Sequence, residues 1–349
     1  MYDVIVVGGG PAGISAALVL GRCNRRVLLC DSGRYRNGHS QAVHGFLSRD
    51  GISPAELRRI GREQLAPYSV KILEAEVTSA TRTDRGFRVQ LGGGGGQAEA
   101  RKLLLATGLI DALPEIPGLD ELYGRSVFVC PYCDAWELRG QPLGVHGGGG
   151  AALALSLLTW SADVVLFTDG AGWPGPEDAD KLTAAGIRVI DTHVTRLIGQ
   201  GGVLERVELA DGTSVRRRAL FLKLAGQGQR SALAQQLELP VSDKQGVRTG
   251  DRECTSINGL YVAGDASRDL LFAVVAAAEG ASAAFGINCE LQAEEQEQMM
   301  LTRRQASQDP AVEHVAIAGH RPRVARVARS ARWARAGGVR HAARGLSRG

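Results

Sequence analysis

The run Val4-Ile5-Val6-Val7 followed by Gly8-Gly9-Gly10-Pro11-Ala12-Gly13 constrains the fold more than any other part of the 349-residue sequence. Four β-branched residues in a row suit a strand buried on both faces. Ile14 to Leu20 reads as a helix rich in Ala and Leu, and Arg26-Val27-Leu28-Leu29-Cys30 as the next strand, ending at Asp31. In this strand–turn–helix context Gly8-x-Gly10-x-x-Gly13 has a mechanical meaning. The first glycine makes the tight turn, the second lets backbone approach a pyrophosphate, and the third lets helix and strand pack closely. The helix start at Pro11 and Ala12 then faces the phosphates with its unpaired N–H groups. Asp31, with Ser32 and Gly33 behind it, stands where a ribose hydroxyl needs an acceptor. A dinucleotide site is therefore expected here, and a purely structural glycine turn is the lesser reading.

A second glycine cluster starts at Gly147, after a strand near Leu143, and leads toward Val164-Val165-Leu166-Phe167. Gly147-x-Gly149-x-x-Ala152 keeps the backbone logic of a nucleotide loop, although a loop that keeps the fold without tight binding stays open. Two such loops about 140 residues apart suggest a duplicated dinucleotide fold. The expected class is α/β, with two Rossmann-like dinucleotide-binding domains, the second inserted into the first. Residues 1–116 and 243–297 would form the outer domain and 117–242 the insert, with hinges near 112–118 and 242–248. A helix is expected over Leu271 to Ala284.

Residues 301–349 hold eleven Arg and no Lys against Asp309 and Glu313, while the whole chain carries a net charge of +4. The body is thus mildly acidic and the segment 298–349 basic, with little apolar periodicity; a disordered or partly helical extension is expected. Trp333 is its one aromatic residue, so no nucleic-acid partner is expected. With 44% hydrophobic residues, the chain as a whole is not a disordered one. No cationic leader with a cleavage site is evident, no apolar run is of membrane-spanning length, and six cysteines are too few for a disulfide-stapled secreted scaffold. A reducing cytoplasm and no membrane partner are the expectation.

Only Cys130 and Cys133 are close in sequence, in Cys130-Pro131-Tyr132-Cys133-Asp134. Two cysteines at this spacing close a small disulfide ring and make a redox switch when one thiol is acidic. Asp134 offers a carboxylate for the proton transfers that thiolate attack and release require. Zinc would need two further ligands at suitable spacing; no second such pair exists, and His146 stands alone. Cys23, Cys30, Cys254 and Cys289 read as structural.

With these motifs, Ala106-Thr107-Gly108, and Gly259-Leu260-Tyr261-Val262-Ala263-Gly264-Asp265, the chain resembles the low-molecular-weight thioredoxin reductase family over about residues 1–295. The pattern is similar in particular to its branch of flavin-dependent dithiol oxidases. The resemblance implies FAD in the outer domain, with Asp265 bonding the ribityl or pyrophosphate region after Gly264. Val77 would offer backbone to adenine, and Ala106, Thr107 and Gly108 would pass near the flavin. It implies Cys133 against the isoalloxazine, Cys130 as the outward thiol and Asp134 as the acid/base carboxylate. The residues alone do not say which cysteine faces the flavin. His39 and His44 lie in a loop that approaches the flavin in the resembling family, so His44 is a candidate cofactor contact. A homodimer is implied as well.

Two departures matter. The family's reductases usually carry a basic motif for the NADPH 2′-phosphate; here the corresponding strand ends Phe167-Thr168-Asp169-Gly170, which favours NADH over NADPH. The sequence CPYC replaces the reductases' CATC, and Asp134 stands where the oxidase branch often has histidine. The expected activity is electron exchange between NAD(P)H, FAD, the cysteine pair and an external thiol or disulfide on a small protein or small molecule. An oxygen-dependent dithiol oxidase and a non-catalytic flavin redox sensor are the alternatives.

Overall fold

A computed structural model describes residues 1–242, 246–267 and 270–308. The chain begins with β1 (Tyr2–Val7), α1 (Pro11–Arg22) and β2 (Val27–Cys30), the unit expected from the sequence. After a long loop come α2 (Pro54–Glu63), β3 (Val70–Leu73), β4 (Val77–Thr83), β5 (Gly86–Leu91) and β6 (Gln97–Leu105). Ser53 caps α2 by accepting the Glu56 N–H, and Pro54 occupies the first turn, where its missing donor costs nothing.

Then β7 (Leu109–Asp111) leads out of the first domain. The insert contains α3 (Leu119–Leu122), β8 (Val127–Phe128), α4 (Pro131–Asp134), β9 (Leu143–His146), α5 (Ala151–Leu157), β10 (Val164–Phe167), α6 (Pro176–Ala184) and β11 (Arg188–Ile190). It continues through a meander of β12 (Val194–Gln200), β13 (Val203–Leu209) and β14 (Ser214–Arg216) to β15 (Ala219–Leu222). The chain returns by β16 (Gln227–Gln229) to α7 (Leu233–Gln236), β17 (Leu260–Val262) and α8 (Ala273–Gln308).

The first sheet has seven strands in the order β3-β2-β1-β6-β5-β4, with β17 also on β6. β3, β2, β1, β6 and β17 run parallel, while β4 and β5 form an antiparallel edge. Both faces of β1 are covered. Val4 and Val6 join the core under α1 and α8, and Ile5 and Val7 join the opposite core, which explains the uninterrupted apolar run. The second sheet is parallel throughout, in the order β11-β10-β9-β15-β8. Two Rossmann-like domains, the second inserted into the first, are therefore present.

The crossing lies upstream of the expected place. β7 and β16 pair antiparallel, Asp111 opposite Gln227 and Leu109 opposite Gln229, so the two connections form one ribbon. Leu233, Ala234, Leu237 and Leu239 are buried in the first domain's core, beside Ile5 and Val7. Hence residues 230–242 pack with the outer domain, and the return crossing falls at 227–229 rather than near 242–248. Apolar burial decides this, whereas the sequence offered only Pro and Gly punctuation.

α8 is also longer than expected. Glu290, Glu294 and Glu295 on this helix pair with Lys102, Arg101 and Arg25 of the first domain. Gln296–Gln308, the described part of a second compact unit, is helical. The rest of the expected basic extension, 309–349, lies outside the described residues. Among the described residues, no helix is long and apolar enough to cross a membrane.

Candidate functional site

Two cavities share an edge in the first domain. One has an empty volume of about 1080 Å³ and is walled by the glycine turn, Asp31, Ser32, Val77, the 106–108 turn, Gly264 and Asp265. Gly8, Gly10, Pro11 and Ala12 thus meet Val77, Ala106, Thr107 and Gly108 across one cradle, as expected. Gly8 has φ +116°, and a Cβ there would collide with the Ala106 carbonyl. Gly13 sits behind the wall, where a Cβ would strike the Gly8 carbonyl oxygen; this is the close helix–strand approach expected of the third glycine. At Gly10, by contrast, a Cβ meets nothing within 4 Å and would project into the cavity. Backbone N–H groups, glycines that keep side chains out and an acidic residue at the strand end fit a bound FAD.

Asp31 is buried, and its carboxylate accepts from the Gly33 N–H at 3.0 Å, from the Tyr35 hydroxyl at 2.5 Å and from Arg62. Burial pushes its pKa up, but these donors outweigh it and hold the carboxyl below the usual value. Oδ1 accepts only from Gly33 among these bonds, which leaves capacity for a ribose hydroxyl. Asp265 is pushed up by burial, which Arg36 partly offsets. Gly264 donates its N–H to Glu279 at 2.8 Å.

The second cavity, with an empty volume of about 2360 Å³, is walled by His44, Tyr123, Cys130, Cys133, Asp134, Lys223 and Phe272. Cys130 and Cys133 are joined as a disulfide. Pro131 starts the single turn of α4, and Cys130 Sγ accepts the Cys133 N–H at 3.2 Å, so the Cys-Pro-x-Cys spacing caps its own helix. Asp134 is pushed up to about 7, chiefly by burial; Glu137 adds to the rise and His44 opposes it. A carboxyl poised there is protonated and ionised in comparable amounts near neutral pH, which is what a proton carrier for thiols requires. The Cys30 thiol, pushed up to about 11 by burial, is inert by the same logic.

The sequence pattern of the pyridine nucleotide-disulphide oxidoreductases matches residues 2–280. The chain belongs to this family. A thioredoxin reductase of Claviceps purpurea, tcpT, is 32% identical over 279 residues, covering 76% of this chain and 86% of its own. The crystal structure of HlmI superposes with a TM-score of 0.82 at 36% identity, over 88% of this chain and 97% of that one. That of the thioredoxin reductase from Streptococcus pyogenes gives 0.78 at 25% identity, over 84% and 99%. The protein is a thioredoxin reductase-like disulphide oxidoreductase, a flavoprotein of a family that uses FAD and NAD(P)H and acts on thiols and disulfides.

Against this oxidoreductase frame, three expected residues sit differently. His44 lines the disulfide cleft rather than the FAD cradle, because its loop meets the turn that follows α4: its Nε2 is 3.5 Å from Glu137. In the second glycine turn Gly147 and Gly149 have φ of +118° and +71°, as a nucleotide loop requires. Ala152, however, is exposed, and the close approach falls at Gly150, where a Cβ would lie 2.8 Å from Val145. This turn is one residue longer before its helix, so Gly150 takes the packing role expected of Ala152. Asp169 turns inward: it accepts the Val194 N–H at 2.7 Å and lies 3.2 Å from His146 and 3.5 Å from His193.

Sequence reasoning missed a polar knot at the base of the ribbon. Asp111 accepts from Arg36 Nε at 2.9 Å, Gln227 at 2.6 Å and the Tyr123 hydroxyl at 3.2 Å, and Arg36 lies 3.6 Å from Asp265. One carboxylate thereby ties the outer-domain loop, both connections and the insert, beside both cavities. Its only sequence signal was an acidic residue just past the Thr107-Gly108 turn.

Asp134 yields a stability prediction. Its raised pKa means that the folded protein holds the proton more tightly than the unfolded chain does. The cost of ionising it is absent below the ordinary value of 3.8, grows as pH rises through that range and is complete above about 7. We expect Asp134→Asn to leave the melting temperature unchanged near pH 4 and to stabilise the protein by about 1–3 kcal/mol above pH 7. Thermal melts across that range check this; an equal effect at every pH contradicts it.

Proposed function

We propose that the Cys130–Cys133 disulfide, next to the poised Asp134 and sharing a cavity edge with the FAD cradle, is where external thiols and disulfides exchange electrons with the protein. The observation that carries this reading is the placement of disulfide and carboxyl together in one open cleft. When bound in the cradle, FAD supplies the two-electron chemistry that no side chain offers. Gly8, Gly10, Pro11, Ala12, Gly13, Asp31, Ser32, Gly33, Val77, Ala106, Thr107, Gly108, Gly264 and Asp265 would hold it. Cys130 is taken as the outward sulfur and Cys133 as the inner one. Residues 117–226 would move as a body about the β7–β16 ribbon, and a homodimer in the cytoplasm is part of the same reading.

For a nicotinamide donor we propose NADH, because the Asp169 carboxylate disfavours a 2′-phosphate. A second reading has support of its own. Asp169 is engaged by Val194, and a Cβ at Gly148 would lie 2.7 Å from that of Ala171, so the strand-end loop closes onto the second glycine turn. A closed turn favours a dithiol oxidase. A dithiol would give up two electrons and two protons, and dioxygen would take both to form hydrogen peroxide. Anaerobic titration of the flavin-loaded protein separates the two. Bleaching by NADH, with weaker NADPH, supports the reductase. Bleaching by dithiols alone, with peroxide formed in air, supports the oxidase. A strong NADPH preference contradicts the role given to Asp169.

A further inference from the structure

Arg34, Arg36 and Arg230 all line the FAD cradle. The protein itself neutralises the first two. Arg34 pairs with Glu76, and Arg36 lies 2.9 Å from Asp111 and 3.6 Å from Asp265. Arg230 differs. Its Nη2 donates to the Leu109 carbonyl at 3.0 Å, and among the described residues no carboxylate pairs with it. The residue is partly buried. Burial pushes its pKa down and Arg34 adds to this; Asp111 opposes the shift and Arg36 reinforces it. A cation withdrawn from water without a counterion is costly to a folded chain, and a bound anion removes that cost.

Backbone contacts place Arg230 beside the glycine turn. A Cβ at Gly8 would strike the Ala106 carbonyl, so the 106–108 turn lies against the first glycine. Arg230 donates its own N–H to the Gly108 carbonyl at 3.1 Å, at the other end of that turn. Pairing of Gln229 with Leu109 at the end of the β7–β16 ribbon holds this register. Gly8 and Arg230 therefore flank one short turn and line one cavity. The glycine turn is where backbone N–H groups and a helix start meet a pyrophosphate. Both phosphates of a dinucleotide are ionised, whereas a helix start offers only partial charge. The first turn of α1, Pro11 to Ile14, holds no charged residue. Full positive charge must come from outside that helix, and Arg230 is the cradle arginine that no carboxylate already holds.

We propose that Arg230 anchors FAD by binding its pyrophosphate, with a guanidinium fork that suits phosphate oxygens. Arg230 is the first residue beyond β16. The cofactor's charge then ties the segment that follows the insert to the glycine turn of the first βαβ unit. This inference rests on the assignment of the cradle to FAD.

The test is serial dilution of flavin-loaded, full-length wild type, Arg230→Met, Arg230→Gln and Arg230→Lys, with released FAD read by its fluorescence, in NaCl from about 0.05 to 0.5 M. Two neutral variants keep the test readable if one folds poorly, which melts in excess FAD detect. We expect Arg230→Met and Arg230→Gln to bind FAD about 10–100-fold more weakly than wild type at low salt, with a flatter salt dependence. Arg230→Lys keeps the charge without the fork, so it should lie between them and wild type and keep the wild-type salt dependence. Wild-type affinity in a folded neutral variant, or a loss that is equal in all three variants and at every salt concentration, overturns the proposal. If Gly10→Val loses its flavin while the neutral Arg230 variants bind as wild type does, only this inference fails. If Gly10→Val also keeps its flavin, the assignment of the cradle fails with it.

Discussion

Cys133→Ser, reduced and then offered a disulfide, accumulates a mixed disulfide through Cys130, and its turnover falls by at least about a thousandfold. A thiolate at Cys130 attacks the reagent and displaces one of its sulfurs, but no resolving thiol is left to break the adduct. Cys130→Ser loses turnover to the same extent and, with Cys133 taken as the inner sulfur, accumulates no adduct at 133. Cys23 is exposed and also free to react, so the adduct must be mapped to the 130–133 peptide by mass spectrometry rather than read as total mass. Adducts exchanged between the two variants would keep the mechanism and reverse the assignment of inner and outer sulfur. Full activity in either variant would return the pair to a structural role.

The glycine turn carries the second large effect, and the structure separates binding from folding there. Gly10 has φ −79°, which any residue adopts, and its Cβ would enter open cavity. Gly10→Val should therefore fold with stability within about 1 kcal/mol of wild type and lose at least about tenfold in flavin affinity, since its methyls occupy the approach to the pyrophosphate. Gly13→Ala should behave in the opposite way. Its methyl strikes the Gly8 backbone carbonyl, which cannot swing aside as a side chain could, and the cost is at least about 2 kcal/mol of stability. Flavin absorbance after purification and thermal melts of both proteins check this. Normal flavin content in Gly10→Val would displace the cofactor from this cradle.

The features legible in the sequence are those written by local periodicity or by fixed spacing. Val4 to Val7, the glycines and Asp31 follow one another within a single βαβ unit, so their joint placement needs no tertiary information. The Cys130–Cys133 pair is legible for the same reason, since three residues of separation leave few geometries. The knot around Asp111 was not legible. Arg36, Tyr123 and Gln227 reach it from 75, 12 and 116 residues away, and nothing local marks such partners. His44 was visible only as a loop histidine, because its position depends on how the insert docks. The return crossing was misplaced because Leu233 to Leu239 reads equally well as apolar core in either domain, and only packing against Ile5 and Val7 decides it. At the second glycine turn, four successive glycines leave the register free. Gly150, the residue just before the helix, settles it through contacts with Val145 and Leu166.

The central claim is that electrons pass between the flavin and external thiols only through Cys130 and Cys133. It is tested most directly by reducing the flavin-loaded protein anaerobically with graded amounts of a dithiol. Flavin absorbance is followed, and each sample is quenched with an alkylating reagent for mass mapping. The account predicts that two equivalents of dithiol leave wild type with its flavin bleached and both cysteines of the 130–133 peptide alkylated, and that the flavin of Cys130→Ser does not bleach. A flavin that bleaches equally in that variant would contradict it.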